Sequence, residues 1–184
     1  MTVTRLIGDS RDVLMTLPAT TLRPACSHDW KYIDALRKKN GSSLGFIPQD
    51  AYLSVLESRR LANRDRFKTQ AIYVTEDNGD LTGFVYASYA SACANIIQVV
   101  VQEDARRWHR ALLLADKVEA DARSRYREGI KARVAWDLES NDFWKAIGYA
   151  PISLVSSTWL NQRESKSKRP LWIYAKHFGG LLDL

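Results

Sequence analysis

The chain is poor in the features that mark several protein classes. Only two cysteines, Cys26 and Cys93, occur among 184 residues, and their spacing fits neither a disulfide framework nor a metal-ligand pattern. The expectation is two reduced thiols in a cytoplasmic protein, with no metal site. Long apolar runs are also missing. The longest, IIQVVV and ALLLA, fall far short of the ~20 residues a membrane-spanning helix needs. The opening MTVTRLIGDSRDVLMTLP carries acids and no apolar core segment, so it does not read as a secretory signal. There is no internal repeat and no long low-complexity segment. What is present is an ordinary soluble globular composition, 46% hydrophobic and 26% charged. The length suits one domain, expected over 19–184, after a small appendage at 1–18 made of a short strand and a helical turn.

Charge is unbalanced: 27 Lys and Arg against 21 Asp and Glu leave a formal +6. That excess points to an anionic partner such as nucleic acid, a phosphorylated cofactor or an acidic surface. It is concentrated at Arg106, Arg107 and Arg110, and again at Arg163, Lys166, Lys168 and Arg169. The basic run 59–68 reads as a solvated helix tail.

Periodicity supplies the elements. TTLRPA is a short strand ended by Pro24. Ser27 is placed to cap a helix that turns Trp30, Ile33, Ala35 and Leu36 inward and stops at Gly41. A second helix after Pro48 carries Tyr52, Leu53, Val55 and Leu56 on its apolar face. AIYVTE and LTGFVYASY alternate around DNGD, a hairpin turn signal. IIQVVV is nearly continuous and predicts a central strand buried on both faces. Ala111, Leu112, Leu114, Ala115, Val118 and Ala122 recur at helical spacing within a helix predicted over 105–128 and ended by Gly129. KARVAWDL is a strand, Ser140 caps the short helix NDFWKAI, and Gly148 closes it. PISLVSSTWL and RPLWIYAKHF form a final antiparallel pair around a basic loop. The order is strand, two helices, three strands, helix, strand, helix, two strands: an α/β fold.

Four segments carry a resemblance. TTLRPACSHDW, DLTGFVYASY, VVVQEDARRWHRALLL and SNDFWKAIGYAP resemble, in this order, segments of the GNAT superfamily of acyl-CoA-dependent N-acyltransferases. The last two are the specific ones. The resemblance covers Thr20 to His177. It implies a mixed central sheet of six to seven strands flanked by about four helices, an acyl-CoA donor (acetyl-CoA or another), and transfer of the acyl group to an amine. It also implies that the backbone of Val99 and Val101 binds the pantetheine arm, and that Arg106, Arg107, His109, Arg110 and Ala111 surround the pyrophosphate. Asn141 would approach the same arm.

The chain departs from the family pattern at three points. The phosphate loop, usually R/Q-x-x-G-x-G/A, here has His109 for its first glycine. Trp144 stands where many members carry the tyrosine that protonates the leaving thiolate. IIQVVV has no carboxylate to act as a strand-four base. Asp137, at the carboxyl end of a strand, is a candidate to accept the amine proton, with helix capping as the alternative. Tyr149 is a candidate proton donor, with core packing as the alternative. The basic loop residues Arg163, Lys166, Lys168 and Arg169, beside Trp159 and Trp172, are candidates for nucleic-acid contact.

Three functions fit these departures. The first is a GNAT-type N-acyltransferase, monomer or homodimer. The second is a divergent DNA-modifying acyltransferase of the phage, Mom-like kind, acting on a nucleobase amino group. The third is a non-catalytic nucleic-acid-binding module. LIGDSRDVLMTLP loosely resembles the opening of amino-DNA methyltransferases, but neither DPPY nor NPPY occurs, which excludes a methyltransferase reading.

Overall fold

The structure is a computed structural model, and it describes residues 20–58, 69–106, 109–156 and 169–179. The appendage at 1–18 and the basic run 59–68 lie outside these residues. Strand β1 (Thr20–Pro24) is followed by a single 3-10 turn (Ser27–Asp29), then helices α1 (Trp30–Lys39) and α2 (Gln49–Ser58). Strands β2 (Gln70–Asp77), β3 (Asp80–Ser88) and β4 (Cys93–Val101) come next. Helix α3 (Arg110–Ser124) leads to β5 (Gly129–Ala135), α4 (Ser140–Ala146), β6 (Ala150–Ser156) and β7 (Pro170–His177). This is the α/β order expected from periodicity.

The seven strands form one mixed sheet in the order β1-β2-β3-β4-β5-β7-β6. Only β4 and β5 are parallel neighbours. The β2–β3 hairpin closes through Asn78 and Gly79, both at positive φ, the conformation that matches strand twist in a two-residue turn. The sheet has a core on each face. Ile33, Leu36, Tyr52, Ile72, Val74, Phe84 and Val100 form the one beneath α1 and α2. Tyr73, Val85, Ile96, Leu114, Val118, Ile130 and Trp144 form the one beneath α3 and α4.

Strand β4 serves both cores, which explains IIQVVV. Its pairing with β3 skips one residue, Ile97, between Tyr86↔Gln98 and Ala87↔Ile96. That bulge reverses which face the following residues present. Ala94 and Ile96 pack on the α3 side, whereas Val100 packs on the α1–α2 side. Both faces of the strand pack against a core, Ile96, Val99 and Val101 on one side and Ile97 and Val100 on the other, as its composition suggested. Ile97 and Val99 remain half-exposed.

Several helix ends also differ from expectation. Helix α3 begins at Arg110 and ends at Ser124, shorter at both ends than 105–128. Gly129 does not end it but opens β5. A Cβ there would lie 2.7 Å from the Lys176 carbonyl oxygen, so close strand packing is what requires glycine. At the start of the 3-10 turn the cap position belongs to Cys26 rather than Ser27. The Cys26 N–H donates to Asp29 Oδ2 at 2.7 Å. Ser140 is the first residue of α4 and not its cap, which is Glu139 without a side-chain bond. Ala35 is exposed, and Tyr32 covers the core in its place.

Ion pairs anchor the helices to the sheet, among them Lys176 of β7 with Glu119 of α3 at 2.9 Å. Arg110, with its side chain 3% exposed, reaches Asp77 at the end of β2, with Nη2–Oδ2 at 2.6 Å and Nε–Oδ2 at 3.0 Å. Arg23 on β1 holds Asp29 (Nη1–Oδ2 2.7 Å) and Glu76 (Nε–Oε1 2.9 Å) together. Burial alone would raise the Asp29 carboxyl. The hydrogen bonds from Arg23 and from the Cys26 N–H outweigh it and hold the group below its usual value.

Removing one member of the buried Arg110–Asp77 pair strands the other. Arg110→Ala is expected to lower unfolding free energy by about 3–5 kcal/mol in urea titrations, and Arg110→Met with Asp77→Leu to recover most of it. Because the Asp29 carboxyl is depressed on folding, its stabilisation is full above the unfolded value of about 3.9 and is lost as pH falls below it. Stability measured from pH 6 to pH 2 should therefore fall less steeply below about pH 4 in Asp29→Asn than in the parent.

Candidate functional site

The site lies where the sheet opens. Parallel pairing of β4 with β5 covers only Cys93↔Gly129 to Ile96↔Ala132. Beyond it β4 continues to Val101 on its β3 side, while β5 continues beside β7. The Gln102 N–H donates to the Thr82 carbonyl of the β3 segment at 2.8 Å. An antiparallel ladder alternates, so Val100 also pairs toward β3, and the main-chain groups of Val99 and Val101 turn toward the opening. Among the described residues these groups have no ladder partner there, apart from a long contact of Arg106 Nε to Val101 O at 3.4 Å. A main-chain edge inside a sheet, left unpaired, is a template for an extended polar ligand.

Helix α3 starts just past the end of β4. Its first N–H groups have no intrahelical acceptor and carry the positive end of the helix dipole. His109 precedes it in left-handed backbone, φ 60° and ψ 14°, with its side chain making no cap bond. That conformation explains the resemblance's glycine at this position: the chain must turn left-handed to enter the helix, which costs a residue with a Cβ about 1–2 kcal/mol. Arg106 is exposed, and its Nη2 donates to Asn40 Oδ1 at 3.2 Å. Ala111 is half-buried against the α3-side core. Arg107 lies outside the described residues. Arg110, expected beside the pyrophosphate, is instead buried, with its guanidinium paired to Asp77 inside the protein.

On the β5 side, Asn141 fixes the loop after the strand. Its Nδ2 donates to the carbonyls of Leu138 (2.6 Å), Ala135 (2.9 Å) and Trp136 (3.2 Å), and its Oδ1 is buried without a partner. That loop presents Asp137. Arg169, at the start of β7, donates to Asp137 Oδ1 from Nε at 2.8 Å and to the Ser42 carbonyl from Nη1 at 2.8 Å. Both Arg169 contacts to Asp137 fall on Oδ1. The helix-cap alternative for Asp137 is not what forms, and Arg169 is engaged within the protein. The other basic-loop residues, Arg163, Lys166 and Lys168, and Trp159, lie outside the described residues.

Tyr149 is buried edge-on to Trp144, with ring centroids 5.0 Å apart. Burial pushes its phenol well above the usual range, with Glu119 and Asp116 of α3 adding to the effect, and the hydroxyl has no hydrogen-bond partner. Packing is the role this placement describes.

Sequence reasoning missed Gln98. It is buried on β4, where its Oε1 accepts from the Tyr52 hydroxyl and its Nε2 donates to the Gly45 carbonyl at 2.7 Å. It ties the α1–α2 connection to the strand. One signal was available: a lone amide inside an otherwise apolar strand. Beside the site, a cleft of about 590 Å³ runs between α1 and the loop after β4, lined by Tyr32, Leu36, Lys39, Gln102, Glu103 and Asp104.

No family model matches the chain, and no curated protein matches it in sequence. Solved structures do match. NAA60 of Arabidopsis thaliana, in complex with acetyl-CoA, aligns over 88% of this chain and 100% of its own, with TM-score 0.70 and 12% identity. Ard1 of Thermoplasma volcanium aligns over 88% and 99%, with TM-score 0.68 and 17% identity. The ribosomal-protein-S18-alanine N-acetyltransferase of Escherichia coli aligns over 89% and 98%, with TM-score 0.65 and 11% identity. The chain has the GNAT fold, with its seven-stranded mixed sheet and four helices.

Replacing His109 by glycine removes the left-handed strain. His109→Gly is expected to gain about 1 kcal/mol in stability, read as a higher midpoint in thermal denaturation.

Proposed function

We propose that the chain is an N-acyltransferase that uses an acyl-CoA, acetyl-CoA or a relative, as donor. The observation that carries the reading is the unpaired stretch of β4 at Val99–Val101, opposite the end of β4–β5 pairing. Extended amide groups of a pantetheine arm fit that edge as a missing strand would. The pyrophosphate then falls at the start of α3, where the first N–H groups, Ala111 and Arg106 meet it. The small side chain of Ala111 permits close approach. Asn141 holds the loop after β5 that borders the same opening.

The reaction transfers an acyl group from a thioester sulfur to an amine nitrogen; the C–S bond breaks, a C–N bond forms, and a thiol leaves. A main-chain N–H of Val99 or Val101 takes the negative charge that develops on the acyl oxygen. Asp137, held by Arg169 through Oδ1, accepts the amine proton through water on Oδ2. The departing thiolate takes its proton from solvent, so Trp144 need not donate one. Tyr149 is assigned to packing. The net charge of +6 favours an acceptor carried on an anionic polymer, nucleobase amino groups included.

A thermal-shift titration with acetyl-CoA tests the reading. Saturable stabilisation of about 2.7 kcal/mol is expected at a hundredfold excess over Kd, and Arg106→Ala should weaken binding roughly 10- to 100-fold. Asp137→Asn should keep this binding and lose turnover of a model amine. Absence of any saturable shift would sink the proposal.

A further inference from the structure

Helix α3 ends in a turn that holds an unexpected residue. Its last carbonyls are closed by two bonds: the Tyr126 N–H donates to Arg123 O at 3.0 Å, and the Arg127 N–H donates to Ala122 O at 3.0 Å. This is a Schellman motif, and it requires left-handed backbone at the residue between. Tyr126 supplies that backbone with φ 55°. Glycine is the usual occupant, because a Cβ at positive φ crowds the adjacent carbonyl. In a buried residue such strain can be offset by packing. Tyr126 is instead 95% exposed, and its side chain makes no hydrogen bond or ring contact among the described residues. The fold therefore maintains a strained, projecting aromatic ring that contributes nothing to the core.

The surroundings of the ring are basic. Arg123, Arg125 and Arg127 flank it in sequence. Arg123 stacks over Phe178, 4.0 Å from the ring centroid, and Arg125 over Tyr89 at 4.5 Å, so both guanidiniums are held in place. The acids of the last helical turns are already paired, Glu119 with Lys176 and with Arg123 itself (Nη2–Oε1 3.1 Å) and Asp121 with Lys117, which leaves Glu128 as the acid of the turn. Fifteen helical residues, at about 1.5 Å each, separate this turn from His109, so it stands apart from the acyl-transfer site.

We propose that the turn from Arg125 to Glu128 is a contact site for single-stranded nucleic acid, in which the Tyr126 ring stacks on an unpaired base and the flanking arginines meet the neighbouring phosphates. An exposed ring beside arginines, of which Arg125 is held over Tyr89, suits a strand whose bases present free faces. Duplex DNA hides those faces in its own stack. An acidic peptide would use the arginines but has no need of the ring. The fixed backbone also limits the ordering that binding requires.

Fluorescence anisotropy with a fluorescein-labelled oligo-dT, titrated at several salt concentrations, tests this. The parent protein should bind the oligonucleotide at low salt and bind a duplex of equal length more weakly. Tyr126→Ala should weaken oligonucleotide binding about 5- to 100-fold with an unchanged salt slope, and Tyr126→Phe should retain it. Arg125→Gln should reduce the salt slope by roughly 0.7. Tyr126→Gly separates the site from folding: it relieves the backbone, so its melting midpoint should rise above the parent's while its binding falls with that of Tyr126→Ala. The proposal is overturned if the parent does not bind the oligonucleotide, or if Tyr126→Ala and Tyr126→Gly bind as the parent does. Equal binding of duplex, insensitive to Tyr126, overturns it as well, since charge alone would then account for the contact. So does an acidic peptide that competes equally against the parent and Tyr126→Ala.

Discussion

The rest of the structure depends on how strand β4 leaves its parallel neighbour. It pairs with β5 through Ile96 and no further, while it stays paired with β3 to Val101. The Ile97 bulge lies at that point of departure. One extra residue there twists the strand and reverses its faces, so the same strand closes the α3-side core with Ile96 and the α1–α2 core with Val100. A continuous ladder would satisfy every main-chain group and leave nothing for a ligand. Among the described residues, the opening places unpaired N–H and C=O groups in the middle of a sheet, at the start of a helix whose first N–H groups have no intrahelical acceptor.

Such an opening leaves the sheet without ladder bonds at that point, and side-chain bonds bridge it. Gln98 holds the α1–α2 connection to β4 through Tyr52 and Gly45. Arg169 joins the start of β7 to Asp137 and to Ser42. Asn141 fixes the loop after β5 with one amide group shared among three carbonyls. Arg110 ties the first turn of α3 to the β2–β3 hairpin. The bonds of Gln98, Arg169 and Arg110 join segments distant in sequence, those of Asn141 are local, and those of Gln98, Asn141 and Arg110 are largely removed from water. Shielding strengthens them and makes an unpaired partner costly, so they define one arrangement of the loops.

Helix α3 carries a left-handed residue other than glycine at each end, His109 before it and Tyr126 after it. In both places the backbone geometry is one that glycine would adopt without strain. The first stands beside the proposed phosphate site. The second stands at the proposed strand-binding turn. Positive φ costs a residue with a Cβ conformational energy, and these two positions share that cost.

Much of the fold was legible in the residues themselves. Alternation in AIYVTE and LTGFVYASY, the DNGD turn, and the helical spacing from Ala111 to Ala122 are local signals, and each element formed close to where its pattern lay. Helix ends were less legible, because capping at Cys26, Glu139 and Tyr126 depends on backbone angles that composition does not report. The fate of charges was not legible at all. Arg106 and Arg110 look alike four residues apart, yet one is exposed and the other is buried on Asp77, a partner 33 residues away in sequence. Arg169 reads as part of a basic loop, yet it closes on Asp137 and on a carbonyl in the α1–α2 connection. Periodicity and turn chemistry, which act over a few residues, determined the elements and their order. The bulge at Ile97, the opening beyond Ile96 and the pairing of each arginine were decided only when strands and helices from across the chain came together, because register and desolvation are properties of neighbours in space.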